Sequence, residues 1–293
     1  MDVETEPRSR LFVDVIETHE AKLQFSNLLD QCFPVPQGRR FFDDFPVWDD
    51  RNPVKNIFRM GVFDGRHLIS SAAVRITSLK TSSGVAEVGL IGAVTTHPEW
   101  RSRGLASQTV SLAVDWAAER GASLAVLWSS EHAMYEKLGF KLVGHQVRVP
   151  LSSLQLGTVS AVNHGWIPAL FDCLKRREGG LVLSDEDRVW IEAHRNVEWF
   201  WTGSTERPTA YAALGRGIDL QGFVHEWGGE TEALPGILSA IREKNPQAIL
   251  LGSPDLLRAR SFAFEPSAIE PLCFGRFLRG KPADFWMWGL DGA

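Results

Sequence analysis

Cysteine, tyrosine and methionine are scarce in this 293-residue sequence, at 3, 2 and 4 residues. Cys32, Cys173 and Cys273 stand far apart and form no Cys-x-x-Cys pair. A thiolate zinc site, a dithiol redox centre and a disulfide scaffold are therefore excluded, and the thiols read as reduced and structural, as in a cytoplasmic protein. No apolar run approaches the roughly 20 residues that span a bilayer, and the start Met1-Asp-Val-Glu-Thr-Glu6 has no leader-like basic or apolar stretch. A cytoplasmic location away from membranes is expected. Basic charge is not in excess either: 31 Lys and Arg against 36 Asp and Glu give −5, which argues against broad nucleic-acid binding. There is no Gly-x-x-x-x-Gly-Lys-Ser/Thr loop and no strand-leading Gly-x-Gly-x-x-Gly. His194-Arg195 and His225-Glu226 lack ligand spacing, so no metal is assigned.

What is present is an ordinary folding composition, 44% apolar and 23% charged. Apolar spacing predicts a helix over 18–32, strands over 57–63 and 67–79 joined by Asp64-Gly65, a third strand over 84–96, a helix over 103–120, a strand over 122–128, a short helix over 131–138 and a strand over 140–149. A linker follows over 150–163. Beyond it, helices are expected over 166–177, 184–195 and 231–243, with strands near 197–202, 209–216, 219–227, 247–252 and 271–279. The order of hairpin, strand, helix, strand occurs twice, which suggests an internal duplication with halves 1–150 and 151–293. The fold class is α/β in the mixed α+β sense, each half a mostly antiparallel sheet flanked by helices.

The chemistry concentrates in Val94-Thr-Thr-His-Pro-Glu-Trp-Arg-Ser-Arg-Gly-Leu-Ala106. A strand passes through an Arg-x-x-Gly-x-Ala turn into a long helix. That arrangement aims main-chain N–H groups and a helix dipole at one point, which suits an anion and a pyrophosphate above all. Arg101 and Arg103 can add bidentate bonds, and Gly104 allows close approach. The second half carries Gly228-Gly-Glu-Thr-Glu-Ala233 at the corresponding place, where two carboxylates would repel such a ligand.

Together with Tyr135-Glu-Lys-Leu-Gly-Phe140 and its Ser130-Glu131 context, this segment resembles the GNAT acetyltransferases over about residues 55–145. The duplicated layout is most similar to the tandem acetyltransferases of the enhanced-intracellular-survival group, without their sterol-carrier-like third domain. The resemblance implies acetyl-CoA as co-substrate, no metal, and an acyl-CoA site formed by Val94, Thr95, Thr96, Arg101, Ser102, Arg103, Gly104, Leu105, Ala106 and Ser107. It also implies that strand 84–96 splays from strand 122–128, so that pantetheine pairs with free backbone near Val94 and Thr96. Direct transfer to a primary amine of a small molecule or peptide follows, with no covalent enzyme intermediate. Homo-oligomerisation stays open.

Two proton transfers need groups. A tyrosine with pKa near 10 can protonate a departing thiolate, uphill by only about 2 kcal/mol, and Tyr135 is the candidate acid. Glu87 is the candidate base, with a role as cross-strand partner as its alternative; Glu131 is a second candidate. Asp43, Asp44, Asp49 and Asp50, interleaved with Phe41, Phe42, Phe45 and Trp48, read either as a wall for a cationic acceptor or as a solvated acidic loop with aromatic anchors. A protein that binds acyl-CoA without transferring it would need the same turn, and remains the alternative to an enzyme.

Overall fold

The computed structural model describes residues 11–157, 161–280 and 283–292. The first half contains β1 (Leu11–Val15), α1 (His19–Cys32), α2 (Phe41–Asp44), β2 (Ile57–Asp64), β3 (His67–Thr81), β4 (Gly84–Thr96), α3 (Leu105–Glu119), β5 (Leu124–Leu127), α4 (His132–Lys137) and β6 (Lys141–Pro150). The second contains β7 (Asn163–His164), α5 (Pro168–Arg176), α6 (Arg188–Glu192), β8 (Glu198–Gly203), β9 (Pro208–Leu214), β10 (Phe223–Gly229), α7 (Leu234–Lys244), β11 (Ile249–Gly252), α8 (Pro254–Ala259) and β12 (Ile269–Phe277). The expected β2–β3 hairpin turns at Asp64 and Gly65 (φ 59°), where the left-handed conformation favours glycine.

All twelve strands join one sheet, in the order β1-β2-β3-β4-β5-β12-β6-β11-β10-β9-β8-β7. Only the β4–β5 and β10–β11 pairs are parallel. The last strand does not stay with its own half. β12 lies between β5 and β6, pairing Phe274 with Leu127 on one side and Cys273 with Val143 on the other. β6 in turn pairs with β11, Val149 opposite Leu250. The two halves thus exchange strands at the centre of the sheet. The sequence 150–163 between them includes residues 158–160, which lie outside those described.

Helix α3 forms because Val110, Ala113, Val114 and Ala117 repeat at helical spacing and bury against Ala125, Leu127 and Ile91 of the sheet. Gly89 of β4 fits beneath it, since a Cβ there would meet the Ala117 Cβ at 2.8 Å. The opposite face of the first half's sheet is covered by α1, α2 and the turn at Pro46–Trp48, whose Phe25, Leu29, Phe41 and Trp48 are buried. In the second half Leu234, Ile237, Leu238 and Ile241 of α7 are buried at the same spacing.

Three local expectations give way to tertiary structure. The expected helix over 184–195 shrinks to a 3-10 turn at Asp185–Asp187 and the five-residue α6. Asp187 is buried where it pairs with Arg75 and accepts from Trp190 Nε1 at 2.9 Å, fixing the segment by long-range contacts. The expected loop at 41–50 folds into α2 and a 3-10 turn at Pro46–Trp48 because its aromatic rings drive burial. The strands expected near 209–216 and 219–227 are separated by an eight-residue connection from Gly215 to Gly222 rather than by a tight turn.

The C-terminal segment from Phe285 to Gly292 packs across the joint of the halves. Arg177 at the end of α5 donates to Glu226 of β10 at 2.8 Å and to Asp291, and the side chains of all three are fully buried. Trp288 Nε1 donates to Glu178 O at 2.9 Å, and Arg216 Nη1 to the carbonyls of Gly289 and Gly292. Burial, with Asp291 adding like charge and Arg177 opposing both, pushes Glu226 well above the usual carboxylate range.

Candidate functional site: a cleft between splayed strands

β4 and β5 pair only at Val88–Leu124, Gly89–Ala125 and Leu90–Val126. Beyond Leu90 they part. Ala93 adopts φ 51° next to a register shift against β3, which turns the last residues of β4 away from β5. The opening is a cleft of about 730 Å³. Val94, Thr95 and Thr96 line it on one side, and Ser129, Ser130, Glu131, Met134 and Tyr135 on the other.

Arg101, Ser102, Gly104, Leu105, Ala106 and Ser107 close one end of the cleft. Ser102 (φ 63°) and Gly104 (φ 79°) are both left-handed, which swings the chain sharply into α3. No side chain caps the start of α3. The first-turn N–H groups of the helix therefore keep their capacity for an external acceptor, the arrangement that binds anions. Arg101 is exposed beside them and donates from Nε to Thr96 O at 3.2 Å.

Of the residues expected at the acyl-CoA site, Arg103 alone is not gathered there. Its guanidinium stacks 4.6 Å from the centre of the Trp100 ring and donates to Glu99 O at 3.2 Å. Cys32 and Phe33, at the end of α1, line the cleft instead, and the Cys32 thiol reaches Thr96 O at 3.6 Å. Neither could be found from the sequence, because their contribution depends on α1 crossing β4.

Tyr135 reaches the cleft from α4, 4% exposed, with Phe140 and Phe274 of β12 at centroid distances of 5.8 and 5.9 Å. Burial pushes its phenol up to about 12, against a hydrogen bond with Ser129 that pulls it down. The group thus stays protonated across the physiological range, but its proton is harder to give up than the sequence suggested. Transfer to a thiolate with conjugate pKa near 8.5 is uphill by about 5 kcal/mol rather than about 2.

Glu87 is corrected by the geometry. It sits seven residues before Val94 on the same strand, about 23 Å away at the usual rise per residue, and does not line the cleft. Its carboxylate is exposed and accepts a hydrogen bond from Ser78 Oγ on β3, as a cross-strand partner does. Glu131, at the start of α4, is the carboxylate that lines the cleft beside Tyr135.

The acidic cluster is likewise not gathered at the cleft. Asp44 is fully buried and paired with Arg39, Asp49 with Arg51, and Asp50 with Lys22 at 3.6 Å, while Asp43 accepts from Arg40 N at 2.9 Å. Phe41, Phe42, Phe45 and Trp48 are core residues. In the second half, Arg260 donates to Gly229 O at 3.1 Å and to Thr231 Oγ1 at 2.5 Å, occupying the turn that corresponds to 101–104. Among the described residues no group of three or more His, Cys, Asp or Glu side chains could hold a metal, and no helix is long and apolar enough to cross a membrane.

Comparison with known proteins bears on the fold. Residues 17–143 match the family model of the acetyltransferase (GNAT) domain. The sequence matches no functionally curated protein. Among solved structures, a GCN5-related N-acetyltransferase from Anabaena variabilis is similar, with 16% identity and a TM-score of 0.65 over 92% of this chain and 73% of that one. A probable N-acyltransferase from Enterococcus faecalis gives 14% and 0.66 over 92% and 73%. Eis1 from Mycobacterium abscessus gives 14% and 0.58 over 92% and 74%. Residues 17–143 are therefore a GNAT acetyltransferase domain, and the chain as a whole has the fold of these acetyltransferase structures. Acyl transfer is the general chemistry such a domain supports.

Proposed function

We propose that the protein is an acetyl-CoA-dependent N-acetyltransferase built from two tandem GNAT-like halves, 1–150 and 151–293, of which only the first binds the co-substrate. The observation that carries the reading is the uncapped start of α3 beside Arg101, at the end of a cleft between splayed parallel strands. The diphosphate of coenzyme A lies against the amides of residues 105–107 and the Arg101 guanidinium, and pantetheine pairs with the free edge of β4 at Val94–Thr96. The site calls for no metal. In the second half Glu230 and Glu232 place two carboxylates at the corresponding turn, which disfavours an anion there.

In the reaction the lone pair of a neutral primary amine attacks the thioester carbonyl. The C–N bond forms, the tetrahedral intermediate collapses, and the C–S bond breaks. The Tyr135 hydroxyl gives its proton to the departing sulfur, and the proton that the nitrogen loses as it becomes an amide returns through water to the Tyr135 oxygen. At pH 7 an amine with pKa near 10.4 is overwhelmingly protonated, and freeing its lone pair costs about 4–5 kcal/mol; Glu131, beside Tyr135, accepts that proton directly or through water.

Calorimetry with acetyl-CoA and release of free thiol in the presence of an amine panel test the two parts separately. Binding together with amine-dependent thiol release is expected. Binding without release for any amine would leave only an acyl-CoA-binding protein, and absence of binding would overturn the reading altogether.

A further inference from the structure

The register shift between β3 and β4 puts one residue more on β4. Ala73 faces Gly92 and Ser71 faces Thr95, so Ala72 alone stands opposite Ala93 and Val94. This is a β-bulge, and its first residue, Ala93, takes φ 51°. Bulges of this kind ordinarily carry glycine there, because a side chain in the left-handed region is strained. Such a conformation persists only where the surrounding structure enforces it.

Two hydroxyls of β3 reach the bulge. Ser71 Oγ donates to Ala93 O at 3.2 Å, and Ser70 Oγ donates to Thr95 O at 2.9 Å. Having given its single proton to Thr95, Ser70 accepts from Thr96 Oγ1, also at 2.9 Å. Both serines are fully buried, so losing either bond leaves a polar group unmatched in the core. Neither serine lines the cleft, but the stretch they hold does: Val94, Thr95 and Thr96. Thr96 O in turn accepts from Arg101 Nε at 3.2 Å. The strand edge and the guanidinium assigned to coenzyme A therefore both take their places from this one bulge.

The geometry points to Ser70 and Ser71 as positioning residues of the co-substrate cleft. Their hydrogen bonds hold Ala93 in the left-handed conformation, and the bulge so held keeps the end of β4 apart from β5. The inference deepens the acyl-CoA reading above, on which it rests for its ligand. A site that is open in only a fraction of molecules binds with its affinity reduced by that fraction. The serines keep that fraction high without touching the ligand.

Calorimetry with CoA, and amide hydrogen exchange of the free protein over residues 91–97, test the inference together. In the double variant Ser70→Ala, Ser71→Ala the dissociation constant of CoA should rise about tenfold, the worth of two neutral hydrogen bonds, and exchange over 91–97 should quicken. Adding Ala93→Gly should restore most of both. The restoration is what separates positioning from packing: glycine weakens an ordinary strand but suits a left-handed bulge. If the double variant does not fold, Ser71→Ala alone should show the same two changes and the same rescue. Unchanged affinity in the serine variants, or a loss that Ala93→Gly deepens, would overturn the inference while leaving the acyl-CoA reading intact. If the unsubstituted protein itself binds no CoA, the acyl-CoA reading falls and exchange alone decides the role of the serines. Quickening that Ala93→Gly reverses then supports it, and no quickening overturns it.

Discussion

Arg101 and Arg103 are equivalent in the sequence and differ in the structure. Arg101 flanks the open amides of α3, whereas Arg103 is turned onto Trp100. Arg101→Ala is therefore expected to raise the dissociation constant of acetyl-CoA about tenfold, the usual worth of one charge-assisted contact, and Arg103→Ala clearly less. Equal losses in calorimetry would mean that Arg103 leaves Trp100 to reach the ligand. Tyr135→Phe should reduce kcat by about 10²-fold or more, the range of general acid catalysis, with acetyl-CoA affinity nearly unchanged. A collapse of affinity with turnover per bound cofactor preserved would make the tyrosine a packing residue. The strand-to-helix turn at 101–107 and the short helix carrying Tyr135 were legible in the sequence because the geometry they need is local. Glu87 was not, since a strand position says nothing about which end of the strand meets the ligand. Between the two readings of the 41–50 carboxylates the sequence could not choose for a related reason: their partners Arg39, Arg51 and Lys22 could be identified only after folding.

At the scale of elements, periodicity located most helices and strands to within a few residues. It missed β1, an edge strand whose Leu11 and Phe12 are 41% and 43% exposed, and α8, a helix of only six residues. It could not anticipate the strand exchange, because a strand's pattern encodes its two faces and not its neighbours. The exchange makes β12 part of the first half's site: Phe274 touches Tyr135 and pairs with Leu127. A lesion in this strand should therefore be felt in the distant cleft. Gly275→Val is a suitable one, since a Cβ there would lie 2.5 Å from Val143 Cγ2. Overpacking of this kind costs about 1–3 kcal/mol, a lowering of Tm by several degrees for a chain this long. Weaker acetyl-CoA binding should accompany it. A lower Tm with unchanged affinity would show that β12 and the cleft are mechanically independent.

For the molecule as a whole, the joint of the halves is where buried ionisable groups collect. Burial and Arg216 lower His194 to about 3, and burial lowers His225 to about 4, a hydrogen bond to Gly215 O only partly opposing it. Both histidines are therefore neutral in the folded state, and the stability they contribute is present above pH 6.5 and lost as pH falls toward 4. Glu226 acts in the opposite sense, because its raised folded pKa means that it holds a proton which the unfolded chain releases above about pH 4.5. Between pH 6.5 and 4.5 unfolding then takes up two protons and gives back one. Stability should therefore fall with acidification over this interval. Urea titrations at half-unit pH steps measure this slope. His225→Gln should flatten it, and an unaltered slope in that variant would remove the histidine from the account.

The interleaving of β12 between β5 and β6 also constrains how the protein comes into being. The first half is synthesised before β12, the strand that lies between β5 and β6 in the folded protein, so the native partner of both edges is absent until residue 277 has emerged. For more than a hundred residues of synthesis the nascent chain carries an open template for mispairing. A slow final step of folding, the insertion of β12, is the expected consequence of that arrangement.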